Sequence, residues 1–234
     1  MANKKKQENH QDPEVAIESA IGRSEAWLQR NAKVLIIALC VIVVIVGGYF
    51  AYQYLYKVPQ QEKAASAMFQ AQDAFAEQEY TLALNGDGNT IGFLQIIDQY
   101  GSTASGNLAK HYAGQCYLKE GDYNKAIEFF GKYKNVSGSI PALLVNAVNA
   151  GLMGDAYAQS GDMQKAVSQY EKAAKEGADD LTAPYYSRKA GDAYVQLGNY
   201  AKALELYKVV KNSYPGSMEA HDIDKVIAQA EQKL

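Results

Sequence analysis

One pattern of residues recurs three times in the second half of the chain and constrains the fold more than any other feature. The segment AGDAYVQLGNYAKAL begins at Ala190, and related segments begin at Ala113 and Met153. Each copy places small residues, aromatic residues and a second glycine at the same spacing. A motif repeated in this way is typical of an architecture in which one supersecondary unit stacks against copies of itself.

The shared positions predict pairs of antiparallel helices. A glycine opens each motif, a tyrosine follows after three residues, an alanine after twelve and an aromatic residue after sixteen. The small residues allow neighbouring helices to approach closely, and the rings fill the space between them. A second glycine, followed by Asp or Asn, ends one helix and caps the next. The structural positions are Gly114, Tyr117 and Ala126, then Gly154, Tyr157 and Ala166, then Gly191, Tyr194 and Ala203 with Pro215.

Over residues 107–215 this arrangement resembles the tetratricopeptide repeat, whose unit is about 34 residues long. The copies here lie 40 and 37 residues apart, and longer turns at 135–141 and 176–184 account for the excess. The early tryptophan of the family is absent from all three copies. The resemblance implies an all-α solenoid of about four helix pairs. Residues 60–105 are predicted to form a degenerate first pair, and residues 216–233 a capping helix.

A run of 23 uncharged residues, 34–56, precedes the repeats. As a helix it would be about 34 Å long, which exceeds the roughly 30 Å of a bilayer's hydrocarbon core. Tyrosines crowd its C-terminal end at positions 49, 52, 54 and 56, where amphipathic rings favour the membrane boundary. The run is too long, and begins too far into the chain, for a cleaved signal peptide. We therefore expect a single uncleaved transmembrane helix, with residues 57–234 forming the repeat domain.

The basic residues around the run predict its orientation. Six Lys and Arg precede it, whereas the first twenty residues after it contain only Lys57 and Lys63. Positive charge is retained in the cytoplasm, so we expect a cytoplasmic N-terminus and a repeat domain outside.

Residues 1–33 are predicted to form a cytoplasmic tail that contains a short amphipathic helix. Asp12 can cap this helix and Pro13 suits its first position. This helix could lie on the inner leaflet, dock on a membrane partner, or belong to a partly ordered tail. Its apolar stripe would contain Ile17, Ile21, Ser24 and Leu28, with Trp27 beside it.

Charge and residue spacing give no indication of nucleic-acid binding, metal binding or catalysis. Residues 57–234 contain 17 Lys and Arg but 21 Asp and Glu, whereas nucleic-acid binding requires a basic face. The three histidines, at positions 10, 111 and 221, are too scattered for a metal site. Cys40 lies in the apolar run and Cys116 in the first repeat, so they are not expected to pair.

The sequence contains no phosphate-binding loop and no serine or cysteine in the setting of a nucleophile. Asp179 and Asp180 are adjacent carboxylates in a turn, which we interpret as a helix-capping loop. We therefore expect a protein that is not an enzyme and has no cofactor, no metal and no small-molecule substrate.

In tetratricopeptide proteins the first helix of each pair lines a concave binding face. Transferred by position, the resemblance implies a protein-binding groove built from nine side chains; the alternative is that they form only a solvated face. The nine are His111, Gln115 and Lys119, then Asp155 and Gln159, then Tyr185, Arg188, Asp192 and Gln196.

The order of tail, membrane span and repeats resembles the YfgM-like envelope proteins of Gram-negative bacteria. That resemblance implies an ancillary subunit of the Sec translocon in the inner membrane, with its repeats in the periplasm. Its partners would be translocon subunits, a membrane-anchored prolyl isomerase and emerging chains. Tethering to the membrane would raise the effective concentration of the repeats near these partners. Two alternatives remain open. One is a structural adaptor of another envelope complex, and the other is an organelle-type receptor with cytoplasmic repeats.

Overall fold

The apolar run and the repeats belong to two compact units of the chain, divided between Pro59 and Gln60. The structure, a computed structural model, describes residues 13–177 and 180–234. Three predictions made from the sequence lie outside the described residues. They are the helix cap at Asp12, the turn residue Asp179 and the side chains of the tail stripe before Glu25.

The first unit contains one long helix, α1 (Pro13–Tyr52), followed by a π-helical segment at Gln53–Lys57. The helix is apolar and long enough to cross a membrane, and its most apolar window is fully exposed. The sequence predicts a separate short helix before the span, whereas α1 continues without interruption from the tail into the apolar run. No proline or glycine occurs between residues 24 and 46, so nothing in that segment ends the helix.

In the described part of the second unit every regular element is helical, and a single isolated bridge joins Gly86 to Ile91. The helices are numbered α2–α11 in chain order, and a short 3₁₀ turn at Met218–Ala220 precedes α11. The bounds are α2 Val58–Ala76, α3 Tyr80–Asn85, α4 Phe93–Tyr100, α5 Ala104–Glu120, α6 Tyr123–Lys132, α7 Ile140–Gln159, α8 Met163–Gly177, α9 Thr182–Gln196, α10 Tyr200–Ser213 and α11 Ile223–Glu231.

Three antiparallel helix pairs correspond to the three copies of the sequence motif. They are α5 with α6, α7 with α8 and α9 with α10, and each pair packs on the next. A first, irregular pair consists of α2 with α3 and α4, because a loop from Gly86 to Gly92 interrupts its second helix. Helix α11 packs on α10 at the opposite end of the stack. The predicted all-α solenoid of about four pairs is therefore confirmed.

The turn inside each pair uses a glycine in the left-handed conformation. Gly121 has φ of +82°, and the amide of the next residue, Asp122, donates to the carbonyl of Tyr117 at 2.9 Å. The Asp122 carboxylate also accepts from the amide of Lys125, which caps the following helix. The other two copies repeat both bonds around Gly161 with Asp162 and around Gly198 with Asn199.

The glycine that opens each motif faces the aromatic ring sixteen residues later. A Cβ added to Gly191 would lie 2.4 Å from the ring of Tyr207, which is well inside van der Waals contact. Tyr207 is almost fully buried, so its ring has no open space into which to move. The same contacts join Gly114 to Phe130 and Gly154 to Tyr170. The missing side chain is therefore what allows the two helices of a pair to pack this closely.

We predict that Gly191→Ala lowers the free energy of unfolding by about 1–3 kcal/mol, because the new methyl group overpacks the Tyr207 ring. Urea unfolding of the full-length protein in detergent, followed by circular dichroism, measures this change. Gly131→Ala is the matched control, since its helical position offers a Cβ open space to 3.9 Å. The control should be neutral or stabilising by up to about 1 kcal/mol. Equal effects of the two substitutions would contradict the packing account.

Candidate protein-binding surface

Helices α5, α7 and α9, here called the inner helices, surround a hollow of about 520 Å³. Its polar lining comes from all three inner helices, and Leu118 and Leu152 add apolar surface between the polar groups. The charged and amide side chains that line it are Gln115 and Lys119 from α5, Asp155 and Gln159 from α7, and Lys189 from α9. Tyr123 of α6 and Tyr170 of α8 also line it. Four of the nine predicted groove residues therefore meet around one cavity.

A second hollow, of about 570 Å³, lies between α9 and the helix that caps the stack. It contains two more of the predicted residues, Asp192 and Gln196, together with Val226 and Lys233 of the C-terminal region. The predicted set is therefore divided between two concavities. The remaining three predicted residues, His111, Tyr185 and Arg188, line neither of them.

His111 is buried in the core, although the resemblance implies a groove position for it. Its Nδ1 atom lies 2.9 Å from Oδ1 of Asn149, whose amide nitrogen donates to the carbonyl of Phe130. Burial lowers the pKa of His111, so the ring is neutral at pH 7. The side chain connects α5 to α7 and is not available to a ligand, and we leave it out of the proposed surface.

Arg188 is held by the segment that leads into α11. Its guanidinium donates two hydrogen bonds to the Asp222 carboxylate, at 2.7 and 3.2 Å, and one to the carbonyl of Glu219. The pairing with Asp222 raises the pKa of Arg188 and lowers that of Asp222. Arg188 therefore fastens the cap to α9. Tyr185 is exposed, and the ammonium group of Lys189 lies 5.4 Å from its ring centre.

The two predicted aspartates are also bound within the domain. Asp155 accepts a hydrogen bond from Tyr170 Oη at 2.6 Å and another from the ammonium group of Lys189. Asp192 accepts from Tyr207 Oη at 2.7 Å. Burial is the main cause that raises the pKa of both tyrosines, and the hydrogen bond to the carboxylate raises it further. Both hydroxyls therefore remain protonated donors. These aspartates stabilise the helix pairs as well as lining the hollows.

The first repeat lacks both halves of this hydrogen bond. At the position of the aspartate it has Gln115, and at the position of the tyrosine it has Phe130. Comparison of the three copies could have indicated this pairing from the sequence, because carboxylate and hydroxyl are present together or absent together. Among residues 13–177 and 180–234, Gln115 has no such internal partner, so its amide group is open to a ligand in the hollow.

Lys189 also lines the first hollow, although the sequence pattern did not indicate it. It follows Arg188 in α9 and lines the first hollow, where it pairs with Asp155 and contacts the rings of Tyr170 and Tyr185. No motif position indicated it, since its role depends on the packing of α9 against α7.

The geometry of the hollow suits recognition of a polypeptide. The amide groups of Gln115 and Gln159 can both donate and accept, and Lys119 supplies a positive charge. Within residues 13–177 and 180–234 no group of three or more His, Cys, Asp or Glu is arranged to hold a metal ion. Burial raises the pKa of the Cys116 thiol to about 12, so at neutral pH it is a packed, protonated core residue.

We predict that Asp155→Ala lowers the free energy of unfolding by about 1–3 kcal/mol, because it leaves the buried Tyr170 hydroxyl without an acceptor. Urea unfolding again measures the change. Gln115→Ala, the same position in the first copy, serves as the control and should have little effect. In the double variant Asp155→Ala, Tyr170→Phe the loss should be smaller than the sum of the single losses. Additive losses would show that the hydrogen bond between Asp155 and Tyr170 does not contribute to the free energy of unfolding.

Comparison with protein families gives two matches along the chain. A model described as a tetratricopeptide repeat-like domain matches residues 25–139, and a tetratricopeptide repeat model matches residues 152–217. Comparison with curated proteins gives no significant match.

Solved structures with a similar fold include two crystal structures of a Podosopora anserina protein described as a kinesin light chain with nearly identical TPR-like repeats, one of them carrying a single substitution. Each is 15% identical, with a TM-score of 0.52 over 74% of this chain and 87% of the other. The MamA protein is 16% identical, with a TM-score of 0.48 over 74% and 88%. From the two family matches and its repeated helix pairs, this chain is a tetratricopeptide-repeat protein.

Proposed function

We propose that this protein is a membrane-tethered, non-enzymatic scaffold that binds a polypeptide along its inner helices. The observation that carries the proposal is the first hollow, where α5, α7 and α9 together present amide, ammonium and carboxylate groups around apolar surface. Tetratricopeptide repeats in general bind other proteins, and their inner helices are the customary contact surface. A hollow about 520 Å³ in volume accommodates several residues of an extended chain.

The free polar groups indicate which side chains contact the partner. Asp155 and Asp192 already accept internal hydrogen bonds, so they hold the surface in place. Gln115, Lys119 and Gln159 line the hollow, and within the described part of the chain no internal side-chain bond occupies them, so they are the proposed contacts. Two amides that donate and accept suit the backbone of an extended peptide, whatever its side chains, so recognition would tolerate many sequences.

Membrane tethering is the second part of the proposal. The apolar part of α1 is long enough to cross a bilayer. The family match over residues 25–139 covers both this apolar helix and the first repeat. That continuity supports a retained anchor over a leader that is removed. A tether raises the effective concentration of the repeats for partners at the same membrane, to about the millimolar range for a short linker.

The finer proposal concerns the site of action. The order of tail, span and repeats resembles that of the YfgM-like envelope proteins, which supports an ancillary role at the Sec translocon with the repeats in the periplasm. There the inner helices would hold emerging chains beside a membrane-anchored prolyl isomerase. The bias of Lys and Arg toward the N-terminal side of the span supports this orientation.

We expect a photo-crosslinking amino acid at Gln115 or Gln159 to capture translocon subunits and secretory precursors in bacterial cells. The same group at Lys208, an exposed position on the outer helix α10, is the control and should capture neither above background. Mass spectrometry of the crosslinked species gives the result. Equal capture from all three positions would contradict binding along the inner helices.

The identities of the captured proteins separate the alternatives. Capture of subunits of another envelope complex, without precursors, would replace the translocon role by that of a structural adaptor. Capture of cytoplasmic proteins would reverse the proposed orientation.

A further inference from the structure

The repeat domain has two chemically different edges. Helices α5, α7 and α9 run in one direction, so the loops that lead into them lie on one side of the stack and the tight glycine turns on the other. We call the first side the loop edge, with loops at 101–103, 133–139 and 214–222 and residues 180–181. The second side is the turn edge, with turns at 77–79, 121–122, 160–162 and 197–199.

The loop edge exposes a large apolar side chain at each junction between the three repeats and the cap. Ile140 is 83% exposed, Leu181 is 70% exposed and Met218 is 89% exposed, and Val136 and Leu143 flank the first of them. Exposed apolar groups of this size are costly in water when they cluster, and such clusters commonly mark an interaction site.

These residues lie in neighbouring loops of one edge or in the first turn of the helix that follows. The amide group of Asn135 donates to the Glu176 carboxylate at 2.7 Å, which joins the first loop to the end of α8. Asp180, Tyr214 and Pro215 line a common hollow of about 240 Å³, so the next two loops are also adjacent.

The turn edge has no comparable feature. Among the described residues its turns expose glycine, serine and charged or amide side chains, and no highly exposed apolar residue. The remaining exposed apolar residues of the domain lie on helix faces or at the C-terminus; they are Phe69, Tyr185, Val209 and Leu234. The asymmetry between the two edges requires an explanation that general surface composition does not supply.

The direction in which the chain enters the repeat domain explains the difference between the two edges. Thr81, which follows α2, donates a hydrogen bond at 2.6 Å to Glu120 at the end of α5. Helix α2 therefore ends at the turn edge and begins on the side of the loop edge. In the sequence, Gln60, the first residue of this unit, follows the apolar run 34–56 after three residues.

The charges near the loops at 101–103 and 133–139 also suit a membrane surface. Lys110 reaches the carbonyl of Gly101, and burial together with repulsion from Lys134 and Lys132 lowers its pKa. The ammonium groups of Lys110, Lys132 and Lys134 therefore lie close together at the loop edge. Anionic lipid headgroups bound there would reduce the repulsion between them.

We propose that the loop edge rests on the membrane surface, with Ile140, Leu181 and Met218 in the lipid interface. This inference rests on the proposed membrane anchor. Around Ile140 the apolar side chains lie near lysines, a combination that binds an anionic bilayer surface. The hollow would then open away from the lipid, because Gln115, Lys119 and Gln159 lie toward the turn-edge ends of their helices. A partner would be held about one helix length, roughly 25 Å, from the bilayer.

The test attaches an environment-sensitive NBD group to single cysteines in the full chain, reconstituted in phosphatidylcholine and phosphatidylglycerol vesicles. Reporter positions are Ile140→Cys and Met218→Cys, and the control is Ala201→Cys, an exposed residue beside the turn edge. Cys40 is replaced by alanine, and the fully buried Cys116 is kept. Lipids that carry a doxyl quencher near the headgroup should cause a loss of emission at 140 and 218 and none at 201.

Flotation of the vesicles separates the two proposals. Protein that floats with its vesicles but shows no quenching at 140 or 218 would refute the loop-edge contact and leave the anchor standing. Protein that does not float would refute both. Probes that are exposed in these vesicles but shielded in native membranes would assign the edge to a protein partner and overturn the lipid contact.

A charge substitution provides a second measurement. With NBD at Leu181→Cys as reporter, the pair Ile140→Asp and Met218→Asp should abolish quenching by the doxyl lipid. Val209→Asp, which places the same charge at an exposed apolar position on α10, should leave it unchanged. Unchanged quenching in the paired variant would contradict the proposal.

Discussion

A glycine that faces an aromatic ring on the neighbouring helix sets the spacing of the whole repeat stack. Because Gly154 and Gly191 have no side chain, the rings of Tyr170 and Tyr207 lie flush against the backbone of α7 and α9. Only at that separation can each tyrosine hydroxyl reach the aspartate beside the glycine. Close packing therefore also fixes the polar lining of the hollows, which connects the stability of the scaffold with its binding surface.

The parts of the fold that depend on short sequence intervals could be predicted from the sequence. The second glycine and the cap that follows it determine a turn within a few residues, and the spacing of small and aromatic residues determines a helix pair. Helix α11 and the irregular first pair were also expected. In the structure the second helix of that pair is interrupted and forms α3 and α4.

Contacts between distant parts of the chain could not be predicted in this way. His111 pairs with Asn149, which is 38 residues away, and Arg188 pairs with Asp222, which is 34 residues away. Each bond depends on how elements distant in the sequence pack against each other, which the spacing of residues within one repeat does not determine. Transfer by position therefore placed both residues in a groove that they do not line. Lys189 was missed for the same reason.

The missing side chain at the first glycine of each motif allows the two helices of a pair to pack this closely. A double-mutant cycle tests it directly, with Gly191→Ala measured by urea unfolding in the natural background and again with Tyr207→Leu. The account predicts that the cost of the added methyl group largely disappears once the ring is removed, so the two substitutions are strongly coupled. An equal cost in both backgrounds would contradict it.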